Sequence, residues 1–185
     1  MKHPSSRAFF SYWDDKRGGR RAPERSEIEP GPVRELLGDV FVLSYDKRSR
    51  FPVRVAGTRV CALLARDLKG CAFPALFDAA SRGEIEDIIT IAAEDLLAAV
   101  AGITATSDAG APVHLELLLL PFSTRAHTPI SLTGLLAPLG EYQGPLGAFR
   151  LTSYRFLTHP PQRFRPRALR RWQAARGLMV YEGLR

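Results

Sequence analysis

Few residues in this 185-residue chain have the types and spacing to do chemistry. His114 and Glu116 stand two apart in an apolar run, so a strand there presents both on one face. Such a pair could touch a metal or a polar ligand, yet two side chains fall short of the three or four protein ligands typical of zinc. The plainer reading is a polar outer sheet face, with Leu115, Leu117 and Leu119 turned into the core. Cys61 and Cys71 match neither a C-x-x-C redox pair nor half of a zinc site, and they read as reduced, partly buried thiols. Gly18-Gly19-Arg20-Arg21 has the composition of a phosphate cradle, but it follows a helical pattern instead of opening one. His3, His127 and His159 fall in predicted ends or loops and read as surface residues. Glu84, Asp87, Glu94 and Asp95 read as the solvated side of an amphipathic helix rather than as catalytic carboxylates. The sequence has no G-x-S-x-G elbow, P-loop or H-E-x-x-H helix. The chain is therefore expected not to be an enzyme.

Around these residues the sequence supplies one domain's worth of core, with 45% hydrophobic and 24% charged residues. The net charge of +7 is unevenly placed. Residues 159–185 carry seven arginines against Glu182, whereas residues 78–116 carry eight acids against Arg82. No apolar stretch reaches the roughly 20 residues of a membrane helix, and no signal peptide is evident, so a cytoplasmic protein without membrane insertion is expected.

Phe9, Phe10 and Trp13 sit at helical spacing within Ser6 to Lys16, and the paired glycines stop that helix. Val40 to Tyr45 and Phe51 to Ala56 read as a hairpin of two strands joined by Asp46 to Arg50. Thr58 is placed to cap a short helix carrying Val60, Leu63 and Leu64. Ser81 and Glu84 form a capping box ahead of a long helix, residues 81–101, whose stripe is Ile85, Ile88, Ile89, Ala92, Leu96 and Val100. Strands follow at Val113 to Phe122, Ile130 to Ala137 and Ala148 to Leu157. The order predicts an α+β domain in which an antiparallel sheet of five strands carries helices on one face. Residues 1–38 form an N-terminal helix and loop, 39–157 the domain, and 158–185 a basic extension.

Certain residues make this order more specific. Phe51-Pro52-Val53-Arg54-Val55-Ala56-Gly57-Thr58 resembles the strand-into-helix segment of a bacterial PAS subfamily in which an Arg-x-Ala-Gly-Thr motif is typical. Leu68-Lys69-Gly70 followed by Phe73 is similar to its turn between helices, and Glu116-Leu117-Leu118-Leu119-Leu120-Pro121 to its first strand after the long helix. The aromatic N-terminal helix with its Gly-Arg-Arg-x-Pro loop also fits. The resemblance spans roughly residues 8–157 and implies a sheet of order 2-1-5-4-3. It implies a sensory or regulatory module that acts in trans. A haem-binding PAS domain supplies an axial histidine from the long helix, which has none here. A photoactive flavin domain needs an Asn-Cys-Arg-type motif, and neither Cys61 nor Cys71 lies in one. No cofactor is expected; an unidentified small ligand is left open.

Such a ligand would lie between sheet and helices, lined by Phe51, Val53, Val55, Cys61, Leu64, Phe73, Phe77, Leu115, Leu117 and Leu151, although the same residues would describe a solid core. Phe9, Phe10 and Trp13 either cover their own sheet or make an interface, including that of a homodimer. A signalling protein is the expected partner. The alternative is nucleic acid, held by Arg163, Arg165, Arg167, Arg170 and Arg171 with Trp172 stacking on a base. One aromatic among arginines is a weak pattern for that, and those arginines could equally dock on the acidic helix. An enzyme shaped like ketosteroid isomerase would need a buried acid aimed into the cavity, and no inward strand position carries one.

Overall fold

The computed structural model describes residues 1–123 and 130–157, together with the backbone of two short strands near the C-terminus. In chain order the elements are α1 (Pro4–Arg17), short stretches of 3-10 helix at Arg25–Glu27 and Gly31–Leu36, β1 (Val40–Ser44), β2 (Val53–Ala56), α2 (Thr58–Leu63) and a 3-10 turn at Phe73–Leu76. Then come α3 (Ala79–Glu94), β3 (Ala98–Thr106), β4 (Pro112–Pro121), β5 (Ser131–Pro138) and β6 (Arg150–Leu157). These strands make one antiparallel sheet of order β2-β1-β5-β4-β3-β6. The expected order 2-1-5-4-3 is present, with a sixth strand added at the β3 edge.

The strand that sequence reasoning missed is β3. Its first residues, Ala98 to Ala101, fall within the long helix expected over 81–101, because Leu96 and Val100 continue the apolar stripe of α3. The helix instead ends at Glu94, since Leu96 takes a left-handed conformation with φ of 55°. The N–H of Leu97 then donates to the carbonyl of Ala92, which closes the helix in a Schellman motif. Because β3 takes the place beside β4, Arg150–Leu157 lies at the sheet edge and not between β1 and β5, where the five-strand expectation put it. The start of α3 also differs from the capping box expected. Asp78 is the N-cap, accepting from the Ser81 N–H at 2.9 Å, while the Ser81 hydroxyl accepts from the N–H of Leu151 at 3.1 Å. Gly57, not Thr58, occupies the cap of α2.

Two apolar layers hold the sheet. On the inner face α2, the 3-10 turn and α3 bury Val60, Leu63, Phe73, Phe77, Ile85, Ile88, Ile89 and Ala92 against Phe41, Leu43, Leu115, Leu117 and Leu119. On the outer face α1 buries Phe9 and Trp13 against Leu118, Leu120, Leu135 and Ala137. Trp13 donates its indole N–H to the carbonyl of Pro121 at 2.9 Å, and Phe10 stacks on its ring. The outer face therefore meets its cover through α1, a helix that the sequence also allowed as a free interface arm. The Gly18 end of α1 is closed by arginines: Arg20 donates to the carbonyl of Lys16 and pairs with Glu27. The glycine-arginine run is thus a helix C-terminus.

The family-like segment around Gly57 has a steric origin. A Cβ there would lie 2.2 Å from the Leu37 carbonyl oxygen and 2.3 Å from that of Gly38. The close approach lets the N–H groups of Arg59 and Val60 donate to the Gly38 carbonyl. Arg59 then reaches back to clamp Asp39 at 2.7 and 2.8 Å.

Candidate functional site on the two faces of the sheet

The inner face is where a ligand was expected, and the aromatic residues there pack on one another. Phe41 stacks on Phe73 at 4.9 Å between centroids, Phe73 meets Phe77 at 5.7 Å, and Phe77 meets Phe149 edge-on at 5.6 Å. Phe41 reaches this row by lying across Gly134 of the neighbouring strand, where a Cβ would fall 2.2 Å from its ring. Of the residues expected to line a pocket, Phe51, Val53, Phe73, Phe77, Leu115 and Leu117 are buried in this core. Cys61, Leu64 and Leu151 are half-buried at its margin.

Val55 does not belong to that set. Simple alternation puts it on the face of Val53, but the register shifts between Val42 and Leu43, so Val53 pairs with Leu43 and Val55 with Val42. The bulge at Arg54 turns Val55 to the outer face, where it is 58% exposed.

On the outer face α1 covers β4 and β5 and leaves β3 and β6 open. An open cleft of about 710 Å³ lies there, bordered by Val100, Gly102, His114, Glu116, Ser153 and Arg155. Register explains the grouping. Gly102 stands opposite both Glu116 and Ser153, Val100 opposite both Leu118 and Arg155, and Thr104 opposite His114. A second bulge, between Gly102 and Ile103, puts Ser153 and Arg155 on this face while Leu151, Tyr154 and Phe156 pack toward the inner core.

His114 and Glu116 share the face, as their spacing predicts, but they serve different partners. The His114 Nδ1 lies 3.1 Å from the Thr104 hydroxyl. Glu116 accepts from the backbone N–H groups of Lys2 at 2.5 Å and His3 at 3.1 Å. Burial pushes the Glu116 carboxyl up, but the Lys2 N–H, the Ser6 hydroxyl and the His3 N–H together hold it below its ordinary 4.5. It is the one strand acid buried in the described residues, and it braces the start of α1 on the outer face. Among the described residues no group of three His, Cys, Asp or Glu side chains could hold a metal ion. Cys61 and Cys71 are free and half-buried. His3, read as a surface residue, caps α1 by accepting from the Ser5 N–H.

The acids of α3 are partly committed. Glu86 pairs with Arg50, Glu94 with Lys47, and the capping Asp78 with Arg150 of β6. Glu84 and Asp87 stand near Tyr154, whose hydroxyl is pushed up by burial and then by those two charges. Arg163, Arg165, Arg167, Arg170 and Arg171 lie outside the described residues, as do His127 and His159. The backbone of Trp172–Ala174 pairs antiparallel with Leu178–Val180, an element that the sequence reading of the tail did not include. No helix among the described residues is long and apolar enough to cross a membrane.

The outer cleft carried one sequence signal, the His114–Glu116 alternation. The rest depended on two bulges and on the unrecognised β3.

No curated protein matches the chain. A family profile described as a PAS domain matches residues 1–137, a span that runs from α1 through β5. With a sheet of order 2-1-5-4-3 extended by β6, helices packed on its inner face, and that match over most of its length, the chain belongs to the PAS domain family.

Proposed function

We propose that the chain is a non-catalytic PAS-type regulatory module that works through protein–protein contact at the uncovered outer face of its sheet. The observation that carries this reading is the contrast between the two faces. The inner face is occupied by its own phenylalanines from Phe41 to Phe149. The outer face leaves β3 and β6 open beside α1, with Arg155 exposed on it. Family membership supports a sensory or regulatory role, and PAS domains generally carry no catalytic machinery. Contacts of this kind draw their energy from a few anchoring side chains, so single surface changes can report on them.

The test is quantitative affinity purification of tagged wild-type and variant proteins from the native host. Arg155→Glu and Ser153→Arg alter the open outer face, while Gly83→Arg alters an exposed position of α3. The reading requires a partner whose recovery falls at least tenfold with the first two and is kept with the third. Equal recovery with all three, or loss only with the α3 variant, rejects it.

A further inference from the structure

The outer cleft has a composition of its own, and it points to a ligand class beyond protein contact. Its floor is apolar and low: Val100 lies there, and Gly102 contributes no side chain. A Cβ at Gly102 would fall 2.8 Å from the Ser153 hydroxyl and 3.0 Å from that of Thr152, so two hydroxyl groups close in where a side chain would stand. Leu139 extends the apolar border and is 39% exposed. Arg155 and Ser153 border the cleft from β6, while His114 borders it from β4 across β3, and Lys2 lies at its rim.

The charge balance decides the sign of the guest. Arg155 forms no ion pair among the described residues. The one acid in the wall is Glu116, and both of its oxygens accept backbone N–H groups from the start of α1. An unpaired guanidinium next to an apolar floor favours a carboxylate joined to a hydrocarbon body, since Arg binds carboxylates through paired N–H donors. The volume, about 710 Å³, falls within the range of small-molecule sites. We infer that this cleft binds a small amphipathic carboxylic acid, its carboxylate on Arg155 and Ser153 and its chain along Val100, Gly102 and Leu139. Occupancy would then alter the same face that the proposed partner uses, although binding itself does not depend on that reading.

Sodium decanoate is the probe, with sodium acetate and 1-decanol as the charge-only and chain-only controls. Titrations are followed by amide chemical shifts of the full chain. The expected result is saturable shifts centred on Gly102, His114, Ser153 and Arg155 with decanoate, at least tenfold weaker with either control. Arg155→Gln, at an exposed position that leaves the core intact, should weaken decanoate about tenfold, and Gly102→Val should remove saturation by filling the floor. Shifts centred elsewhere, equal binding by decanol, or unchanged affinity in Arg155→Gln would overturn the inference. Because the readout involves no partner, a negative result here leaves the affinity-purification outcome free to stand or fall separately.

Discussion

Replacing Trp13 separates a helix that completes the fold from one that reaches for another molecule. Its side chain is 1% exposed, packs in the outer-face core with Phe9, Leu118 and Leu120, and donates to the Pro121 carbonyl. Trp13→Ala removes a fully buried indole, which costs about 3–5 kcal/mol when the site cannot collapse. Trp13→Phe keeps most of the bulk but leaves the Pro121 carbonyl without its donor, at a cost of about 1–3 kcal/mol. Urea unfolding followed by far-ultraviolet circular dichroism measures both, with light scattering at each protein concentration. The expected order is wild type, then Phe, then Ala, with stabilities independent of concentration. If Trp13→Ala lost less than about 1 kcal/mol, α1 would not be part of the folded core. Conversion of a dimer to a monomer of unchanged stability would assign Trp13 to an interface instead.

Three further outcomes follow from the geometry. Glu116 has a folded pKa below 4.5, so its contribution is complete above that pH and is lost as pH falls through the lower folded value. Thermal melts between pH 6 and pH 3 should therefore show a steeper acid-side loss for wild type than for Glu116→Gln, and parallel curves would discount the α1 brace. Gly57→Ala places a methyl within 2.3 Å of two backbone carbonyl oxygens that cannot give way. It should cost more than about 2 kcal/mol and lower the melting temperature by at least about 4 °C, and a neutral effect would contradict the packing. Arg59→Ala leaves the largely buried Asp39 without its clamp. Because Arg59 is itself more than half exposed, the loss should be about 1 kcal/mol, and adding Asp39→Asn should recover part of it in a double-mutant cycle.

What the sequence made legible was whatever local patterning controls. The α1 face, β1 and the body of α3 show their burial in their periodicity, and β4 and β5 show theirs in continuous apolar runs. The errors share one cause, which is that irregular backbone leaves little trace in hydrophobic pattern. Leu96 adopts a conformation that sequence normally assigns to glycine, so the helix was carried through residues that pair as β3. β3 runs from Ala98 to Ile103 without a polar side chain, although only Ala98 reaches the layer under α1, and its alternation is masked. The bulge opposite Val42 turned Val55 outward, and the one next to Gly102 set which β6 residues face the cleft. The capping box failed for a simpler reason: Asp78, three residues upstream, is an equally good cap, and it was available.

The division of labour between the faces is tested most directly by native mass spectrometry of freshly desalted protein, compared with its mass after unfolding. A sheet whose inner side is filled by Phe41, Phe73, Phe77 and Phe149 predicts that the Arg155→Gln protein, its outer cleft weakened, carries nothing that unfolding releases. A small molecule held one-to-one by this variant through desalting and freed only on unfolding would place a ligand inside the core and contradict the account.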